Sequence, residues 1–525
     1  MEKQPARSGS HLVAAGILLS RIMGLVRQKI FAHYFGNSDA GDAFYAALKI
    51  QNFPQNLLGD GILSASFIPV YSSMRAHGES DEADRVAGAV GSILALINTV
   101  IVLAGVFAAP YMIDFIAPGF HDEKRALTIH LVQIFFPGTG LLVMSAWCLG
   151  ILNSHRRFFL SYAAPVIWNL SFIAALFIFG RIDKQNALAI HTAWGVLVGS
   201  ALQFAIQLPT VFRCAPALKW GLTCKPGPLK EIFKNVLPVI TARGAVQVSA
   251  YVDNVLASLL PAGAVSALAY AQSLYLLPIS LFGMSVSAAE LPAMSSLKGT
   301  HQEIADLLHQ RMSAALKQIS FFIVPSAVAF LALGDVVVGS IYQGGAFNRG
   351  STEYVWGVIA GSTVGLLATT QARLYSSAFY SLKDTRTPLR FALIRVFLTT
   401  ALGYFFGLSL PKLLGIDSSW GTAGLTVSAG ISGWVEFYLL RRSFNARVGR
   451  HIALPAIFLT QLWVSALIAA ALGWGIKILL GAFGARHPML GIPAILLPYG
   501  IAYFGITAAF GLEQPRSVIR RLKRF

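Results

Sequence analysis

"SRIMGLVRQKIFAHYFGNSDAGDAFYAALK", residues 20–49, decides how this chain must be read. Two mainly apolar segments flank a short polar turn, yet Arg21, Arg27, Lys29, Asp42 and Lys49 sit inside or at the edges of those segments. A basic side chain at mid-membrane costs about 2.5–3.5 kcal/mol on translocon scales. Such charges persist only where they are paired, reach an interface, or face water.

The solvent follows from composition. Of 525 residues 55% are hydrophobic and 12% charged, with a mean hydropathy of +0.63; soluble domains carry about 25% charged residues. Runs such as "GSILALINTVIVLAGVFAAPYMI" (91–113) and "ALIAAALGWGIKILLGAF" (466–483) are long enough to cross a bilayer as helices. Backbone groups in lipid must bond internally, so repeated runs predict an α-helical bundle. The expected fold class is all-α: a polytopic membrane protein with about fourteen transmembrane helices between residues 12 and 511. The first is not read as a cleaved signal, because "LVAAGILL" meets Arg21 at once and the helical pattern continues.

Charge supports the even count. Forty-one Lys and Arg against 23 Asp and Glu give +18. In a membrane chain the excess marks cytoplasmic loops rather than nucleic acid. With both termini inside, Arg75, Arg85, Arg156, Arg157, Lys225, Lys230, Lys383, Arg386, Arg441, Arg442 and the tail "RSVIRRLKRF" fall on the cytoplasmic side. Cys148, Cys214 and Cys224 show no metal-ligand spacing, and a reducing compartment disfavours a disulfide.

The chain repeats itself. Residues 30–54 pair with 255–278, "IAPGF" (116–120) with "YQGGAF" (342–347), and "NSHRRF" (153–158) with "LKDTRTP" (382–388), all near one offset. This divides the chain into a six-helix lobe (1–215), a cytoplasmic linker (216–230), a second six-helix lobe (231–442), and two further helices with the basic tail (443–525). Repeat-built bundles hold substrate between repeats and rock around it.

Two readings of Arg21 and Arg27 stand side by side: pairing with Asp42, Asp60 or the interface, or lining a cationic, water-filled cavity. Lys49, Asp60, Arg243, Asp253, Glu290, Arg373, Arg395 and Glu436 add intramembrane charge within the repeats, whereas the last two helices keep only Lys477. Arginine binds phosphate oxygens in pairs and stays charged at any relevant pH. An arginine-lined cavity therefore favours a phosphate or diphosphate. No P-loop, HExxH or G-x-S-x-G motif suggests an enzyme.

"SRIMGLVRQKIFAHYFG", "DAFYAALKIQNF", "APGF", "ILNSHRRF", "GGAF" and "AFYSLKDTRTP", in that order, resemble the MviN/MurJ family of lipid II flippases. The resemblance implies fourteen helices, two lobes, and transfer of the undecaprenyl-diphosphate-linked peptidoglycan precursor across the bacterial cytoplasmic membrane. It assigns Arg21, Arg27, Asp42 and Lys49 to substrate binding. Gln55 and Ser273 stand where the family has arginines, and Gln28 where it has an acid, so Arg243 is a candidate replacement cation. Asp253, Asp384 and Thr400 match oxygen ligands of a sodium site in some members, although "KDTRTP" also reads as a capped turn. The coupling ion is sodium or a proton, no cofactor is expected, and cell-wall synthases are candidate partners. The other functions in play are a flippase for another polyprenyl-linked glycan and a non-transporting scaffold for cell-wall synthesis.

Overall fold

The computed structural model describes residues 6–59, 63–181, 184–221 and 224–515. Asp60 and the basic tail lie outside the described residues, as does the side chain of Arg243. By contacts the chain forms two compact units, Met1–Val265 and Ser266–Phe525.

The first unit holds α1 (Ala6–Phe35), α2 (Asp39–Leu58), α3 (Ile68–Ala76), α4 (Ser80–Ile116), α5 (Asp122–Ser154), α6 (Phe158–Phe179), α7 (Gln185–Ala205) and α8 (Pro226–Ser258). Straddling the boundary is α9 (Ala264–Pro278). The second unit continues with α10 (Ser285–Ser295), α11 (His301–Ala332), α12 (Gly334–Tyr342), α13 (Arg349–Thr363) and α14 (Leu366–Ser381). It ends with α15 (Arg386–Tyr404), α16 (Gly421–Val448), α17 (Ala456–Arg486) and α18 (Leu497–Ala509). Apart from one bridge between Gly344 and Phe347, the described residues hold no β-pairing.

Nine helices among the described residues are long and apolar enough to cross a membrane, or ten with the bent pair α13–α14. That count covers the described residues alone, and α1, α2, α8 and α16 fall outside it. Outer faces are apolar, with Phe107, Tyr111 and Phe115 of α4 each more than three-quarters exposed. In water such a surface would drive association; in a bilayer it is the lipid contact.

Local chemistry sets the helix ends. Ser38 caps α2 by accepting from Gly41 N at 3.2 Å, and Asp39 and Asp42 complement the positive end of the helix dipole. Thr300 and Glu303 form a reciprocal capping box on α11. In "KDTRTP", Asp384 accepts from the backbone of Arg386 and Thr387 and from the Thr387 hydroxyl, the capped turn that the sequence suggested.

The paired motifs fold alike. "APGF" and "GGAF" both make tight turns that bury the terminal ring, Phe120 and Phe347. Each unit also contains a π-helical segment between shorter α-helices, Leu63–Phe67 before α3 and Ile279–Met284 before α10. The contact boundary lies one helix beyond the 216–230 linker, because packing and sequence repetition divide the chain differently. The repeat counts α8 with the second half, but Tyr251 Oη donates to Lys49 O at 2.8 Å and Asn254 donates to Ile116 O, tying α8 to the first unit.

Within the first unit α5 is the buried centre, packed by α2, α4 and α7. At one end Trp147 is fully buried and donates to Ala87 O at 3.0 Å. Beside it Tyr71 donates to Asp84 (2.9 Å), and the His155 ring nitrogen Nε2 lies 2.9 Å from the same phenol oxygen. In the second unit α16 plays the central role against α13, α14 and α15. Gly365 and Gly430 meet there backbone to backbone, so close that a Cβ on either would overlap its neighbour.

Burial, reinforced by Arg75 and Arg157, pushes the His155 pKa down to about 4. A depressed folded-state pKa means that His155 contributes stability above its ordinary value and loses it as pH falls toward 4. The melting temperature of the purified protein should drop between pH 6.5 and pH 4, and His155→Gln should flatten that drop. An identical pH profile for the two proteins contradicts this role.

Candidate functional site

The site is built from α1 and α2 against α5, α6 and α7. Arg27, half-buried on α1, places its guanidinium 4.9 Å from the centre of the Trp168 ring and 5.3 Å from that of Phe172, both on α6. The ring faces stabilise a cation by about 2 kcal/mol when it is shielded from water. Next to it lies a cavity of about 320 Å³ whose polar wall includes Arg27, Asn52, Gln55, Ser145, Asn169 and Gln203.

The wall is rich in amides. Gln203 and Gln207 both donate to Ser145 Oγ, at 3.1 and 2.6 Å, and the Trp168 indole donates to Ser200. Asn169 spends its amide nitrogen on Pro165 O, while its buried oxygen has no hydrogen-bond partner among the described residues. A buried acceptor left open costs about 1–3 kcal/mol, so this wall is suited to a polar guest or to water. One fixed cation surrounded by neutral donors and acceptors suits an anion that also carries hydroxyls or amides.

The residues singled out from sequence separate into groups. Arg27 and Gln55 line the same cavity. Arg21 is exposed on α1. Lys49 is half-buried, and the acid whose charge acts on it is Asp253 of α8. Asp253 therefore lies close enough to Lys49 for their charges to interact. Asp42 is not on the cavity wall: its carboxylate is 1% exposed, accepts from Lys124 Nζ and from Gly263 N at 2.8 Å each, and ties the start of α2 to α5 and to the turn after α8. Lys124 is a partner of Asp42, the carboxylate that one reading offered to Arg21 or Arg27, and it also meets Asp39 at 2.8 Å.

In the second unit Ser273 donates to Ala269 O of its own helix at 3.0 Å. Thr400 likewise donates to Val396 O at 2.8 Å. Asp384 carries an ion pair with Arg447 in addition to its turn hydrogen bonds, and these hold its carboxyl below the usual range. No group of three or more His, Cys, Asp or Glu side chains positioned for a metal occurs among the described residues. Glu290 meets Arg311 (3.2 Å) and Glu436 meets Arg395 (3.0 Å), the structural pairs expected of membrane acids. Trp168, Asn169, Ser145 and Gln203 escaped sequence reasoning because uncharged residues on apolar helices leave no signal of burial around a cavity.

Two helical units with apolar outer faces and partnered internal charges define a polytopic membrane transporter fold. Among solved structures the chain resembles one titled lipid II flippase MurJ in an inward closed conformation, with a TM-score of 0.77 and 24% identity over 97% of this chain and 99% of that one. An inward-facing multidrug resistance MATE family transporter of the MOP superfamily shares the fold more loosely, with a TM-score of 0.66 and 17% identity over 81% and 95%. The family model described as lipid II flippase MurJ matches residues 31–490, and the chain belongs to that family. A relative from Burkholderia cenocepacia named lipid II flippase MurJ is 28% identical across 95% of this chain and 96% of its own. A Rhizobium tropici relative named probable lipid II flippase MurJ is 29% identical across 81% and 78%. The matched region begins after Arg27, so the helix 1 arginines rest on the motif and on their geometry.

The two central residues should behave oppositely in a stability measurement. Asp42→Ala removes a buried carboxylate that accepts from both Lys124 and the Gly263 backbone and should destabilise the protein by on the order of 3 kcal/mol, whereas Arg27→Ala, at a half-buried side chain beside the cavity, should cost less than about 2 kcal/mol. Thermal melts of the purified variants check this. A larger loss for Arg27→Ala would recast that residue as a structural anchor.

Proposed function

We propose that this chain moves lipid II, a polyprenyl-diphosphate-linked peptidoglycan precursor, from the inner to the outer leaflet of a bacterial cytoplasmic membrane. The single observation that carries the reading is Arg27, an intramembrane cation held over Trp168 and facing a cavity walled by amides. Family membership supplies the transport class. The chemistry of the wall matches the cargo, since a diphosphate needs a fixed positive charge and a glycopeptide head needs neutral hydrogen-bond partners.

The roles divide accordingly. The Arg27 guanidinium engages diphosphate oxygens, and Arg21, exposed on the same helix, meets the anion first. Asn52, Gln55 and Gln203 offer amides to sugar hydroxyls, with Gln55 standing where relatives by motif carry another arginine. Lys49, balanced by Asp253, sets the local potential. Both termini lie in the cytoplasm, as the distribution of basic loops favours. Alternating access then moves the head group across while the tail stays in lipid. Asp384 is committed to its turn and Arg447, so no ion passes through it in this scheme.

The test is replacement in vivo. In a bacterium depleted of its own lipid II flippase, this gene should restore growth and the appearance of lipid II in the outer leaflet, and Arg27→Ala at equal membrane abundance should not. Growth restored equally by Arg27→Ala would favour the non-transporting scaffold. Membrane expression without outward lipid II would oppose the reading itself.

A further inference from the structure

A cavity of about 770 Å³ lies in the second unit. It opens among α12, the start of α13, the kinked end of α17 and the segment leading into α18. That volume falls within the roughly 300–1,000 Å³ of small-molecule sites. Its charged lining consists of Asp335, Lys477, Arg349 and Glu353, two acids and two bases, so its net charge is zero. Lys477 Nζ sits 2.6 Å from Asp335 Oδ2 and 5.0 Å from the centre of the Trp474 ring. Arg349 and Glu353 pair at 3.1 Å at the exposed rim. Asp335 Oδ1 is buried and has no hydrogen-bond partner among the described residues.

The remaining wall is apolar and includes Leu480, Leu490 and Ile495. Next to it on α17, Ile478 is 68% and Leu479 87% exposed, an outward face suited only to acyl chains. A balanced set of charges opening beside a lipid-facing surface selects a zwitterion with a hydrocarbon tail. An anionic lipid gains no net attraction there. The open Asp335 oxygen refines the choice, because it needs a hydrogen-bond donor. A primary ammonium donates; a trimethylated one has no N–H to give.

We propose that this cavity binds the head group of a zwitterionic phospholipid carrying a primary ammonium, the phosphatidylethanolamine class. The ammonium meets Asp335 Oδ1, the phosphate lies toward Arg349 and Lys477, and the acyl chains run along α17. The site is additional to the Arg27 cavity and takes a resident lipid, not the transported one.

Native mass spectrometry of the full-length wild-type chain tests this with lipids of matched acyl chains. Phosphatidylethanolamine, its mono- and dimethylated forms, phosphatidylcholine and phosphatidylglycerol would each be added in turn. Retention should fall stepwise with methylation, reaching roughly a tenfold difference between the ends of the series, as a charge-assisted hydrogen bond implies. Asp335→Leu should erase the preference, as should Glu353→Gln with Arg349→Gln in part, the latter two being rim changes that leave the fold intact. Equal retention of phosphatidylethanolamine and phosphatidylcholine, or stronger retention of phosphatidylglycerol, overturns the proposal. Displacement of the lipid by soluble glycerophosphoethanolamine at similar concentration also overturns it, by assigning the cavity to a soluble zwitterion.

Discussion

A charge placed in hydrocarbon must be answered, and that requirement organises this protein. Glu290, Glu436 and Asp335 each meet a basic partner, and Asp42 meets Lys124. Arg27 lies over the ring faces of Trp168 and Phe172, which steady a cation, and it lines the cavity.

Much of the fold could be read from the chain before its structure. Long apolar runs, the distribution of basic loops and three spaced motif pairs pointed to an all-helical, duplicated membrane protein. The turns at Phe120 and Phe347, both burying the terminal ring, fall within one of those pairs. The reading of "KDTRTP" as a capped turn succeeded because side-chain-to-backbone hydrogen bonds over two or three residues are a local property. The affiliation of α8 was not local. It depends on which distant groups Tyr251 and Asn254 reach, and periodicity carries no such information.

The candidate site was legible only in its charges. Arg27 stood out because an intramembrane arginine is expensive, but the same reasoning drew in Asp42, which clamps α2 to its neighbours instead. Conversely, Trp168, Asn169 and Gln203 form much of the cavity and carried no signal, since neutral polar and aromatic residues are ordinary in helical spans. Gln55 gained meaning from both sides: the motif marked it as a departure, and the structure places it on the wall beside Arg27. A wall with one guanidinium among amides is less charged than one lined by several guanidinium groups.

Direct binding of lipid II to the purified protein, compared between wild type and Arg27→Ala, tests the central claim most closely. The account predicts that removing this guanidinium weakens binding by roughly tenfold or more, the cost of losing charge-assisted contacts to a diphosphate. Equal affinity in the two proteins, with both folded, would contradict it.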